Sequence, residues 1–116
     1  MKLKTVIHVD QEESSRFETA LGNIKNFLEE IPPEDSDLRV VVHSSAVKLL
    51  RKGESPDREK KMSELSRKGV KFLVCRNSLS RMKIDHAALV EIAEIVPSGI
   101  VELVRLQHEG FAYVKP

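Results

Sequence analysis

Leu38-Arg39-Val40-Val41-Val42-His43 is nearly continuous in apolar character. A strand with one wet face alternates apolar and polar residues. An unbroken run is expected where a parallel sheet is covered on both faces. Just upstream, Phe17, Leu21, Ile24, Leu28 and Ile31 recur at spacings of 4, 3, 4 and 3, one apolar stripe of a helix that Pro32-Pro33 stops. Asp10 and Glu13 read as a capping box at the start of that helix. Before them, Thr5-Val6-Ile7-His8-Val9 is a short β-branched strand. Strand, helix and strand make one βαβ unit.

Downstream the alternation continues. Ser44 or Ser45 is placed to cap a short helix through Leu50, closed by Gly53. Ser55-Pro56-Asp57 restarts a helix, with Ser as N-cap, Pro at the first position and Asp near the positive dipole end. This helix runs to about Lys68 and offers only Met62 and Leu65 to a core, so its dense charge reads as a solvated face. Gly69 ends it, and Val70-Lys71-Phe72-Leu73-Val74-Cys75 is a third strand. Residues 78–83 and 86–91 read as short helical pieces, and Ile92 to Val96 as a fourth strand. Pro97-Ser98-Gly99 opens a last helix, Gly110 sits where a C-terminal cap belongs, and Phe111-Ala112-Tyr113-Val114 is a final strand. The pattern predicts a three-layer α/β/α sandwich of about five mostly parallel strands, one domain spanning residues 1–116.

Composition narrows the function classes. With 19 basic and 18 acidic residues the net charge is +1, too little cationic excess to hold a nucleic acid through its phosphates. The longest stretch free of charged residues is the eight from Val40 to Val47, whereas a membrane-spanning helix needs roughly 20 apolar residues. Met1-Lys2-Leu3-Lys4 soon meets Asp10, Glu12 and Glu13, so no apolar signal core is expected. Cys75 is the only cysteine, which leaves no intrachain disulfide and favours a reducing cytoplasm.

In an open parallel sheet, ligands bind beyond the carboxyl ends of the strands. Those ends are His8 to Asp10, His43-Ser44-Ser45, Cys75-Arg76-Asn77-Ser78 and Pro97-Ser98-Gly99. Cys75 is the most informative. A thiol at a helix N-terminus faces oriented N–H groups, and Arg76 adds a cation, both favouring thiolate. Asn77 and Ser78 are positioned to donate to an anion held on that sulfur. The other reading is a buried structural cysteine, the commoner fate of a free thiol. His43 is either a proton carrier at the same rim or a ring satisfied by a backbone carbonyl. His8, His86 and His108 are weaker candidates. Ser98 and Gly99 form an anion-binding candidate through free N–H groups, or a simple turn.

Other chemistries lack their residues. No Cys-x2-Cys, His-x3-His or His-Glu-x2-His spacing exists, so no metal site is expected. The glycines never form Gly-x-Gly and no Gly-x-Ser-x-Gly elbow occurs, so no nucleotide cofactor and no hydrolase of that type is expected. Cys75 and Arg81 match the Cys-x5-Arg spacing of cysteine-dependent phosphatases. Residues 76–80, however, carry no glycine to let N–H groups converge on phosphate, and Met82 stands where a Ser or Thr usually follows. The same missing glycine argues against a rhodanese-type loop.

The last helix points to assembly. Ile100, Val101, Leu103, Val104 and Leu106 spread over about 220° of its circumference, whereas a helix lying on a sheet needs about 100°. The surplus is expected under neighbouring helices or between subunits.

Cys75-Arg76-Asn77-Ser78-Leu79, Val96-Pro97-Ser98-Gly99, Glu102-Leu103-Val104-Arg105-Leu106-Gln107 and Gly110-Phe111-Ala112-Tyr113-Val114-Lys115-Pro116 together resemble the DsrE/DsrF-like proteins. These are small intracellular proteins related to sulfur-oxidation and sulfur-relay subunits of the DsrE and TusD type. The resemblance implies a flavodoxin-like or Rossmann-like sandwich that assembles into homo-trimers or hexamers. It also implies a cysteine that accepts sulfane sulfur as a persulfide and passes it to another protein. That role falls on Cys75; Asn77 and Ser78 match the motif without an established role. The expectation is a sulfur-relay protein or sulfurtransferase working with a donor or acceptor protein. The competing expectation is a non-catalytic oligomeric binding module for a small anion or a partner protein.

Overall fold

The structure, a computed structural model, describes residues 2–116. In chain order the elements are β1 (Leu3–Val9), α1 (Ser14–Glu30), β2 (Ser36–Val42), α2 (Pro56–Arg67), β3 (Lys71–Cys75), α3 (Arg76–Met82), β4 (Ala93–Val96), α4 (Gly99–His108) and β5 (Ala112–Val114). Short 3-10 turns occupy Pro33–Asp35, Ser44–Leu50 and His86–Ala88. All five strands are parallel, in the order β4-β3-β2-β1-β5.

That order explains the layers. The chain steps from β1 to β4 in one direction, so right-handed crossovers stack α1, the 44–50 turn, α2 and α3 on one face. The return from β4 to β5 runs the other way, across the opposite face, and α4 is the helix that makes it. Strand side chains alternate between faces. Val40, Val42, Phe72 and Val74 meet Phe17, Ile24, Leu50 and Met62 in the larger core. Val6, Val41 and Leu73 meet Leu103, Leu106 and Phe111 in the smaller one. The valine run of β2 is apolar throughout because both parities are covered; each such side chain contributes about 1.5–3 kcal/mol of burial. The sheet is the expected three-layer α/β/α sandwich.

Local signals hold in most places. Ser55 accepts from the Arg58 N–H and so caps as read; Ser98 accepts from the Val101 N–H and caps α4 where Pro97-Ser98-Gly99 was read to open it. Gly69 and Gly110 take positive φ of 97° and 96° where the helices before them stop, a conformation other residues adopt at a cost. Phe17, Leu21 and Ile24 are buried, while Leu28 and Ile31 are half-buried.

Three details differ. The Asp10–Glu13 capping box does not form: Glu13 is the N-cap of α1 without a side-chain cap bond, and it pairs with Arg16 at 3.0 Å instead. Asp10 is drawn to Lys115, 105 residues away, a partner no local motif reveals. Neither Ser44 nor Ser45 caps the 44–50 turn, whose cap position is His43; Ser45 Oγ accepts from the Glu12 N–H at 3.0 Å. Residues 86–91 give one 3-10 turn only, after which Leu89 bridges to Arg51. Within the charged α2, Arg58 is buried; it donates to the Leu49 carbonyl at 3.3 Å and lies 3.7 Å from Glu18.

Among the described residues no helix is long and apolar enough to cross a membrane.

Candidate functional site

Cys75 ends β3 and is at the same time the N-cap of α3. Its backbone is still extended, φ −71° and ψ 115°, which turns the thiol back over the first helical N–H groups. The Ser78 N–H donates to Sγ at 3.4 Å. The Ser78 hydroxyl oxygen accepts the Ser44 N–H at 2.8 Å. A hydroxyl so held keeps its own hydrogen free to donate, here toward the sulfur. Ser44 reaches this position by taking φ 58°, unusual for a residue other than glycine, directly after His43 at the exit of β2.

A second helix contributes. Gly99 opens α4, and a Cβ placed on it would stand 3.1 Å from Cβ of Cys75, 3.2 Å from Cβ of His43 and 3.4 Å from Cδ2 of His43. A residue without a side chain fits that wedge unstrained, and the fit packs the N-terminus of α4 against Cys75. Burial pushes the Cys75 thiol up. The Ser78 hydroxyl and the N–H groups of Gly99, Ser78 and Asn77 outweigh it, and the thiol lies below its ordinary value of 9.0. Arg76, expected to add a cation, is exposed and has no part in the shift. Cys75 is 3% exposed, so the sulfur is covered.

On the same face, beside the wedge, three side chains form a line. Tyr113 Oη lies 2.7 Å from His8 Nδ1, and His8 Nε2 lies 3.1 Å from His43 Nδ1. The two imidazoles are near-parallel at 28° with centroids 5.3 Å apart. His8 is buried and His43 half-buried. Burial first, then the charge of Lys115, holds His8 below 6.5; Asp10 opposes them and His43 adds to them. The Lys115 hydrogen bond keeps Asp10 below its usual value despite a smaller opposing effect of burial.

The structure therefore gathers Cys75, Asn77, Ser78, Gly99 and His43 at one rim. Ser98 is adjacent; its hydroxyl oxygen accepts the Val101 N–H at 3.3 Å and so caps α4. Among the described residues, His, Cys, Asp and Glu side chains do not gather in threes as a metal ion would need. A cavity of 330 Å³ lined by Glu18, Lys25, Lys61, Glu64 and Lys68 lies between α1 and α2, across the sheet from Cys75.

His8 was read only as a weaker candidate at a strand end, and Tyr113 escaped the sequence reading. One signal was available: His8 and His43 share parity with Val6 and Val41, the strand residues of the smaller core. Tyr113 had none, because β5 pairs with β1 from the far end of the chain.

The outer side of α4 carries Ile100, Val101 and Val104 at 57%, 61% and 50% exposure. The apolar surplus of this helix is thus not taken up by neighbouring helices.

Residues 4–116 match the DsrE/DsrF-like family. A structure described as a protein of unknown function, MTH1491 from Methanobacterium thermoautotrophicum, is 31% identical, with a TM-score of 0.91 over 99% of this chain and 100% of that one. The crystal structure of the ychN protein from E. coli, 20% identical, superposes with a TM-score of 0.81 over 100% of both chains, a likeness of fold. No curated protein matches the sequence.

Proposed function

The chain belongs to the DsrE/DsrF-like family, and from that premise we propose that it is a sulfur-relay protein carrying sulfane sulfur as a persulfide on Cys75. The observation that carries this reading is a cysteine at the N-cap of α3 whose sulfur accepts the Ser78 N–H at 3.4 Å, with the N-terminus of α4 packed against it at Gly99. Such donors favour the thiolate, the form that attacks.

In the proposed cycle, Cys75 thiolate attacks the outer sulfur of a donor persulfide, R–S–SH. The new S–S bond forms as the donor's S–S bond breaks, and R–S⁻ departs with the electron pair. Cys75 then holds one extra sulfur. An acceptor thiolate attacks that outer sulfur in turn, and Cys75 leaves as thiolate onto the same donors, which lowers the barrier to release. The sulfur keeps its oxidation level throughout, so no outside oxidant or reductant takes part.

The low exposure of Cys75 favours a second reading, a non-catalytic module that uses the rim for a small anion or a partner protein. Intact mass after incubation with polysulfide separates the two. A gain of one sulfur atom, absent in Cys75→Ser, is the expected result; an unchanged mass with a competent donor overturns the relay. The exposed Ile100, Val101 and Val104 support assembly with further copies of the chain, a trimer or hexamer. Donor and acceptor proteins, and a cytoplasmic location, belong to the same proposal.

A further inference from the structure

The relay just proposed leaves one chemical need unmet. Donor thiolates with alkyl substituents are poor leaving groups until they gain a proton, and the groups around Cys75 sulfur serve to hold an anion, not to hand out protons. The imidazole beside Cys75 is that of His43, which shares Gly99 as a neighbour with it. Its Nδ1 is turned to His8. Its Cδ2 edge, bonded to Nε2, lies toward Gly99, and none of the described residues hydrogen-bonds that Nε2.

We propose that Tyr113 and His8 position His43 so that its Nε2 delivers the proton to the thiolate expelled when Cys75 takes up sulfur. This inference rests on the relay reading and assigns it a proton source. With Tyr113 O–H donating to His8 Nδ1, His8 Nε2–H donates to His43 Nδ1, and the proton of His43 resides on Nε2. When Nε2 gives it up, each ring receives one proton on Nδ1 as it loses one from Nε2. Tyr113 passes its own to His8 and regains one from water. Three donors shift, no ring becomes an anion, and the net result is one proton moved from solvent to R–S⁻. Tyr113, 42% exposed, is the wet end, and His8, 8% exposed, is the dry middle. Burial keeps His8 neutral, which suits a conductor that holds no charge. Asp10 and Lys115 face His8 from the strand ends and bond to each other, so neither interrupts the line. Tyr113 and His8 are positioning residues; His43 is the one that meets the reacting atoms.

The test compares two probes on wild type, His43→Asn and Tyr113→Phe. One is cysteine persulfide, whose leaving group needs a proton. The other is the aryl disulfide of 5-thio-2-nitrobenzoate, whose leaving group needs none. Expected is a loss of about 100-fold in sulfur uptake for His43→Asn and roughly tenfold for Tyr113→Phe. The aryl reaction should change by less than about twofold in either. The imidazole nitrogen spectrum should show His8 losing its fixed tautomer in Tyr113→Phe. Equal slowing of both probes, or uptake at the wild-type rate in His43→Asn, overturns the inference while leaving the relay standing. A wild-type protein that reacts with the aryl disulfide but gains no sulfur overturns the relay, and the inference with it.

Discussion

Ser44 donates its backbone N–H to the hydroxyl of Ser78 at 2.8 Å, tying the turn that leaves β2 to the turn that leaves β3. The tie decides which way the Ser78 hydrogen points, and so what Cys75 feels. Ser78→Ala removes a donor from the sulfur and strands the Ser44 N–H in one step. Alkylation of Cys75 by iodoacetamide at pH 7 should slow roughly tenfold, the worth of one hydrogen bond to a charged group. Urea unfolding should show a loss of about 1–3 kcal/mol for the unpaired amide. A variant that alkylates as fast as wild type would remove Ser78 from the site.

Gly99→Ala tests the wedge. The added methyl meets Cβ of Cys75 at 3.1 Å and Cβ of His43 at 3.2 Å, closer than carbon atoms pack, so α4 must back away by a few tenths of an ångström. The cost should be about 1–3 kcal/mol of overpacking. Cys75 should titrate higher as the Gly99 N–H withdraws. A thermal melt and the pH profile of alkylation read the two effects separately.

Above the acid range, stability should rise with pH in two windows. Burial and Lys115 hold His8 below 6.5, so just beneath that value the unfolded chain binds more protons than the folded one. Unfolding free energy then climbs as pH rises toward 6.5 and, for this group, levels off above. Cys75, held below 9.0 by its hydrogen-bond donors, gives the same sign of slope as pH rises toward that value. His8→Gln should flatten the first climb and Cys75→Ser the second. Asp10, depressed below 3.8, adds its own rise only in stronger acid.

Charges on α4 test assembly. Ile100→Asp with Val104→Asp places two carboxylates where the side chains are 57% and 50% exposed, so the fold should lose under about 0.5 kcal/mol. Light scattering should fall from a multiple of 13.1 kDa to 13.1 kDa itself. Wild type already at 13.1 kDa would refute the assembly.

The architecture was legible because it rests on short-range chemistry. Val40-Val41-Val42 is apolar at both parities, and that requires cover on both sides. Ser55 and Ser98 cap the helices they precede, and Gly69 and Gly110 stop the helices they follow. Cys75 was readable too, as a thiol between a strand and a helical turn. Its surroundings were only half so: Ser78 lies three residues on, but Gly99 arrives from another helix. What stayed hidden depends on the return of β5 to β1. The pairs Asp10–Lys115 and His8–Tyr113 each join residues 105 apart. No window of local sequence holds both members. Whether the thiol is covered was equally beyond pattern, since the cover comes from packing.

The lone helix on its face carries a consequence for biosynthesis. A ribosome delivers the chain in order, and the strands through β4 with the larger core can form as they emerge. Gly99 and Tyr113 come out after those four strands, and with them the helix start that packs on Cys75 and the phenol at the wet end. A nascent chain halted before residue 99 would carry a nearly complete sheet and a cysteine not yet tuned for attack. Reactivity is in this sense withheld until α4 and β5 have followed the first four strands.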